Sequence, residues 1–223
     1  MLLYHGSENI IKQPILGYGN IHNDYGTGFY CTEQSSMAGE WACKNGVDGY
    51  INRYVLDLGS LRLLNLLDKQ YNILNWLALL LANRTFRLTG QLGMASRAYI
   101  LENFLPDISD ADVIIGYRAD DSYFSYAQAF VENTLSLNVL QEALYLGKLG
   151  EQVVLRSADA YANLKFLDVE LAMRDKYYPL FKMRDDLARR QYHQELSKKV
   201  SAKDDLFILD IMRRELKNDD LCL

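Results

Sequence analysis

The sequence predicts an α+β fold with a helical C-terminal extension, and three observations carry that prediction. Short apolar runs of the kind that form buried strands recur from residue 2 to residue 167. Segments with apolar residues at helical spacing lie between them. From Val169 onward only helical patterns remain, and charge rises with them: 25 of the last 59 residues are charged, against 28 of the first 164. The chain therefore reads as a body over residues 1–168 and a charged helical tail over 169–223.

The elements follow in order. Leu2-Leu3-Tyr4-His5 predicts a buried strand beginning almost at the first residue, ended by Gly6 and Ser7. From there to Gly28 the chain is rich in turn-formers, among them Asn9, Pro14, Gly17, Gly19, Asn20, Asp24 and Gly26. A loop of about twenty residues inside a compact domain is usually functional or disordered. Residues 28–32 predict a second strand. In 33–45, Met37, Ala38, Trp41 and Ala42 fall at helical spacing, with Thr32 or Ser35 as N-cap. Residues 50–58 alternate as a strand, with Ile51, Tyr54, Leu56 and Leu58 as inward positions. Residues 68–88 predict a helix whose Trp76 and leucines are core, and 95–104 another before Pro106. Val113-Ile114-Ile115-Gly116 is a continuous apolar strand, followed by helices over 122–133 and 137–145, the latter ending near Gly147. Residues 152–155 predict a strand, 157–162 a turn of helix, and 164–167 the last strand.

Composition limits the function classes. Of 223 residues 49% are apolar and 24% charged, with 14 Gly and three Pro, which excludes a disordered, collagen-like or linker-dominated chain. The net charge of −5 divides into −6 over residues 1–164 and +1 over the rest. A mildly acidic body argues against nucleic-acid binding through a broad basic surface, though not against a small pocket for one phosphorylated ligand. Cys31, Cys43 and Cys222 are odd in number and have no CxxC spacing, so reduced thiols and a cytoplasmic location are expected. Met-Leu-Leu-Tyr-His has no basic n-region and no apolar run before His5, so export is not expected, and the longest apolar stretch, residues 76–82, is far short of the roughly 20 residues that span a membrane.

Three constellations are candidates for chemistry. His5-Gly6-Ser7 ends an apolar strand, where an imidazole can project into a cleft and the glycine lets a ligand approach the backbone. The same residues also fit a histidine hydrogen-bonded at the edge of a core. In Tyr25-Gly26-Thr27-Gly28-Phe29-Tyr30 the glycines allow a tight loop into a strand, after which Phe29 and Tyr30 point to opposite faces. With no helix following and no third glycine it is a poor dinucleotide fingerprint, and an ordinary turn and strand also fits. Glu151-Gln152 places a carboxylate and an amide at the mouth of an apolar strand, a common ligand position, and equally a place for a solvated charge. Asp120 and Asp121 follow a buried strand, as binding acids or as a solvated turn. Arg189-Arg190 and Lys198-Lys199 face solvent or a partner protein.

The order of these motifs resembles the ADP-ribosyltransferase superfamily of the histidine–tyrosine–glutamate type, to which the poly(ADP-ribose) polymerases belong. More closely, residues 2–168 resemble a bacterial family of uncharacterised ADP-ribosyltransferase-like proteins. Its opening Leu-Tyr-His-Gly-Ser strand is matched by Leu3 to Ser7, and its Asp-Phe-Gly-Lys-Gly-Phe-Tyr motif by Asp24 to Tyr30. Its Ala-x-x-Trp-Ala helix is matched at Ala38 to Ala42, and its Asp-Ile-Val-Ile-Gly strand with an acidic turn at Asp112 to Gly116 with Ala119-Asp120-Asp121. Its Asp-Gln-Ile-Val-Phe strand is matched at Glu151 to Leu155, and its closing strand at Leu164-Lys165-Phe166-Leu167. Thr27 stands where that family has Lys, which bears on contacts to cofactor phosphates, and Glu151 restores the polymerase-like acid where most relatives carry Asp.

The resemblance implies a split mixed β-sheet core and an NAD-dependent mono-ADP-ribosyltransferase, with NAD as co-substrate and no metal. It implies that His5 binds the adenosine ribose, that the backbone of Gly6 holds the nicotinamide carboxamide, and that Tyr30 stacks on the nicotinamide with Trp41 as the other wall. Ser7, Gly28 and Gln152 belong to the same implied cofactor site. Glu151 would bind the nicotinamide ribose and stabilise its oxocarbenium-like transition state, because a preorganised carboxylate beside developing positive charge favours the transition state over the ground state. Gln152 takes that place if the strand is registered one residue differently, since a slip of one exchanges the faces. The implied partners are an acceptor protein or nucleic acid and a cognate antitoxin protein, without a membrane. A catalytically silent module of the same fold, engaging a partner through its cleft or tail, is the alternative. An RNA 2′-phosphotransferase shares the fold, but the acidic body and the lack of an evident arginine set for phosphate count against it.

Overall fold

A computed structural model describes residues 1–119, 121–146, 150–197 and 205–221, and the backbone alone at 121–123, 144–146 and 195–197. Two sheets organise the body. The first is antiparallel, with β1 (Leu2–Ser7) and β7 (Leu164–Ala172) on either side of β3 (Gly49–Leu56). The second has the order β2 (Phe29–Cys31), β6 (Glu151–Leu155), β5 (Val113–Tyr117) and β4 (Leu63–Asn65). Its strands pair antiparallel except β4 with β5, which run parallel. The fold is thus mixed α+β.

Side-chain alternation along these strands builds three layers of core. Leu3, Tyr54 and Leu56 of the first sheet meet Phe29, Cys31, Val113, Ile115, Val153 and Leu155 of the second. The opposite faces are covered by helices. Ile114 and Val154 pack beneath α2 (Ile73–Asn83), α3 (Gly90–Phe104), α4 (Asp121–Val131) and α5 (Leu137–Leu146), with Trp76, Phe104 and Phe130 buried among them. Ile51 and Ala172 pack beneath α1 (Ser35–Ala42) through Ala38 and Ala42. A short α6 (Ala158–Ala162), N-capped by Ser157 Oγ, leads into β7. Asp112 Oδ2 accepts from the Arg62 backbone N–H at 2.8 Å, and this bond, with those from Ser157 and the Arg62 side chain, lowers its pKa to about 2.

The tail is built into this core. In α7 (Arg174–Ser197) Tyr177 is buried against α1, where a Cβ on Gly39 would lie 2.4 Å from its ring. Arg184 Nη2 meets Glu40 Oε2 at 2.7 Å, and both side chains are 12% exposed. Ile208 and Ile211 of α8 (Ile208–Arg213) are fully buried in the large helical cluster, and α9 (Asn218–Leu221) follows.

Several boundaries differ from the sequence reading. The last strand runs to Ala172 rather than Leu167, so the helical tail begins at Arg174 and position 168 falls inside β7. The alternation of Leu164 and Phe166 changes phase at Leu167, which the pairing with β3 skips between Tyr54 and Arg53, and Val169 and Leu171 follow in the new phase. β4, only three residues long, was not anticipated. The N-cap of α1 is Gln34, whose backbone N–H donates to Thr32 Oγ1, rather than Thr32 or Ser35. α2 starts at Ile73 because Asn72 caps it, its Oδ1 accepting from Leu74 N at 2.9 Å. Cys31 and Cys43 are free and buried. Asp120, Gly147, Lys198, Lys199, Cys222 and the Asp121 side chain lie outside the described residues. No helix among the described residues is long and apolar enough to cross a membrane.

Candidate functional site

The two sheets touch at one point and then part. Tyr4 and Thr32 exchange backbone hydrogen bonds, Tyr4 N to Thr32 O at 2.8 Å and Thr32 N to Tyr4 O at 2.9 Å. Backbone groups alternate sides along an antiparallel strand, so Gly6 turns its N–H and C=O the same way as Tyr4, to the side on which β1 and β2 diverge. The other side of β1 is held by Asn52, fully buried, whose Nδ2 donates to His5 O, Ser7 Oγ and Asn9 O at 3.2–3.3 Å. Its Oδ1 accepts from Ile11 N at 2.8 Å. Ser7 Oγ is thereby engaged in the turn that leaves the strand.

His5 bridges the parting. Its Nδ1 is 2.7 Å from Tyr30 O, and its ring lies 4.4 Å from that of Phe29. A carbonyl only accepts, so Nδ1 donates here and Nε2 of the neutral ring is left as an acceptor. Burial lowers the His5 pKa below 6.5, the Tyr30 carbonyl opposes that, and Lys44 adds to it. A folded-state pKa below the unfolded one means the unfolded chain binds the extra proton first. The His5 contribution is therefore complete above pH 6.5 and is lost as pH falls through the lowered folded value. Urea denaturation across that range is expected to show this slope in the wild type and a shallower one in His5→Gln; equal slopes would contradict it.

Tyr30 points to the opposite face from Phe29, as the alternation requires. Its Oη donates to Gly26 O at 2.6 Å and accepts from Tyr25 N at 3.0 Å, so the phenol is tied to the turn before its own strand. Gly26 holds a φ of +74°, which makes that turn possible. Gly28 answers a packing need, since a Cβ there would lie 2.6 Å from Val154 Cγ1 and 2.8 Å from Leu155 O. Both glycines are thus explained by the fold, without a phosphate. Tyr25 is buried, and its Oη joins Trp76 Nε1 in donating to Tyr117 O.

β6 separates the two residues between which sequence leaves a choice. Glu151, opposite Tyr117, is exposed at the strand mouth. Gln152, opposite Gly116, is 5% exposed and shares a face with Val154, which pairs with Tyr30. Gln152 Nε2 donates to Asp24 Oδ2 at 3.1 Å. The same oxygen accepts from Ala119 N at 2.9 Å, and Oδ1 accepts from Arg84 Nη1 at 2.9 Å. This buried carboxylate with three donors was missed as a site by sequence reasoning. Its partners stand 60, 95 and 128 positions away, and no local pattern signals them.

Trp41, on α1, is half-buried, with the Arg118 guanidinium 5.0 Å from its ring centroid and Arg118 Nη1 at 3.1 Å from Met37 Sδ. Its indole N–H has no hydrogen-bond partner among the described residues. The structure joins His5 to the Tyr30 backbone but does not bring the predicted residues into one cluster. His5 and Glu151 belong to the face between the sheets, Tyr30 and Gln152 to the helical face, and the Gly6 edge lies at the parting.

Residues 1–166 match a family described as a protein of unknown function, DUF3990. The chain belongs to the DUF3990 family. No curated protein and no solved structure matches it. The DUF3990 region runs from β1 into β7, so it holds every residue named above, from His5 to Gln152, as well as Asp24 and Arg84. Beyond it lie α7, α8 and α9, although Tyr177, Ile208 and Ile211 complete the core of the DUF3990 body.

Proposed function

We propose that this DUF3990 protein is an NAD-dependent mono-ADP-ribosyltransferase that transfers ADP-ribose to a macromolecular acceptor and releases nicotinamide. The observation that carries the reading is His5 at the parting of two sheets, with Nδ1 committed to Tyr30 O and Nε2 left as an acceptor suited to a ribose hydroxyl. The Gly6 edge offers a donor and an acceptor to a carboxamide, and Tyr30 stands on the neighbouring strand β2 with its ring on the helical face. NAD supplies the activated C1′–N bond of the nicotinamide riboside. When that bond breaks, nicotinamide leaves with the electron pair, and the acceptor's nucleophile bonds to C1′ and gives up its proton. Glu151, at the strand mouth, is the carboxylate that stabilises the positive ribose.

The test uses labelled NAD, purified protein and cell lysate. Labelling of an acceptor with release of nicotinamide is expected, reduced at least about a hundredfold in Glu151→Ala. No transfer, no nicotinamide release and no NAD binding by calorimetry would refute the reading. In its biological setting the activity fits a toxin with a cognate antitoxin, or a bacterial effector, in the cytoplasm.

A silent binding module is the second reading, and one observation favours it. Leu180, Met183 and Leu187 are exposed at i, i+3 and i+7 on α7, the spacing of a helix face that meets a partner. An inert protein that co-purifies stoichiometrically with a neighbour-encoded protein, and loses it on Met183→Glu, would favour this reading.

A further inference from the structure

We infer that β7 is a self-association edge, along which two copies of this chain join antiparallel around a two-fold axis at Asp168 to make one continuous sheet. This stands apart from the NAD reading and does not depend on it.

β7 ends its sheet, and among the described residues no strand lies beyond it. An unpaired strand edge presents a row of backbone donors and acceptors to any chain that can match it. β1, at the other side of the same sheet, is met by β2 through Tyr4 and Thr32. β7 has no such cover over its length from Leu164 to Ala172, and Leu167, Val169 and Leu171 are 48%, 36% and 53% exposed.

The register with β3 fixes which way each side chain faces. Leu164, Phe166, Val169 and Leu171 stand opposite Leu56, Tyr54, Asn52 and Tyr50, on the face that meets the second sheet. Lys165, Asp168 and Glu170 stand opposite Val55, Arg53 and Ile51, on the face that carries α1. One face of the edge is thus apolar and the other charged, with Leu167 the residue that the pairing passes over.

This pattern is complementary to itself. When a two-fold perpendicular to the sheet relates two antiparallel strands, residues equally far from the axis face each other. With the axis at Asp168, and Leu167 passed over as it is by β3, Lys165 of each copy meets Glu170 of the other. On the apolar face Phe166 meets Val169, and Leu164 meets Leu171. Opposite charges and apolar side chains directly across a strand pair are both stabilising. Asp168 meets its own copy, and each carboxylate keeps the Arg53 guanidinium of its own chain, so the charges of that row balance. A slide of one residue would set the charged face of one copy against the apolar face of the other. A slide of two sets Glu170 against Asp168 in one direction, and in the other carries Glu170 and Leu171 past the end of the opposite strand. The register centred on Asp168 is therefore the one that uses the whole edge.

Sedimentation equilibrium over a dilution series tests this with variants at exposed positions. The wild type is expected to form a reversible dimer. Lys165→Glu and Glu170→Lys each place like charges opposite one another twice, and each is expected to weaken self-association about tenfold or more. An equimolar mixture of the two variants is expected to recover wild-type association, because in the mixed pair every acid again faces a base. A single variant that associates as the wild type does, or a mixture that associates no better than its components, overturns the assignment. So does a wild type that stays monomeric throughout, which is also the result expected if the edge serves a different chain.

Discussion

Gly6→Ala is expected to cost about 3 kcal/mol or more of stability, at the upper end of overpacking effects. A Cβ at this position would lie 1.8 Å from Ala38 O and 2.8 Å from Ala42 N, both backbone atoms of α1. No rotamer change relieves such a contact. Either α1 lifts from β1 or β1 shifts in its register with β3. The damage would spread, because α1 also carries Gly39 against Tyr177 and Glu40 against Arg184 and so holds the tail. Chemical denaturation measures it directly, and an unchanged midpoint would contradict the packing argument. The result also bears on function: lost activity in Gly6→Ala would report a displaced helix, whether or not the Gly6 backbone touches NAD.

Asp24→Ala is expected to destabilise by about 3 kcal/mol, since removing a buried carboxylate takes away the acceptor of every donor bonded to it. Here the loss falls on three donors together, Arg84 Nη1, Ala119 N and Gln152 Nε2, which fasten the long first loop to α2, to the end of β5 and to β6. Asp168→Ala serves as the contrast. Its pair with Arg53 is exposed, 53% and 42% for the two side chains, and an exposed pair contributes about 0–1 kcal/mol. Urea midpoints of the two variants should differ accordingly. Equal midpoints would mean that the Asp24 cluster is not the fastening it resembles.

The strands most legible in sequence were those with a continuous apolar signal. Val113 to Ile115 and Val153 to Leu155 are central in the second sheet and buried on both faces, so each residue carries the same message. β7 was cut short because its alternation changes phase at Leu167, and β4 was missed because three residues have no period to read. The glycines of the Tyr25–Tyr30 motif were legible as turn and strand entry. Gly6 was legible only as permissive, since the helix backbone that excludes a side chain there comes from residues 38–42.

Alternation by itself determined that Phe29 and Tyr30 part to opposite faces, and apolar periodicity determined a mixed body followed by helices, because both are properties of a single segment. Only the tertiary structure decided that Gln152 is the buried member of the Glu151-Gln152 pair and that Asp24 holds it. It also decided that the charged tail carries Tyr177, Ile208 and Ile211 into the core. These depend on which distant segments meet, and a buried hydrogen bond or ion pair is made by geometry between elements far apart in sequence, where no local pattern records it.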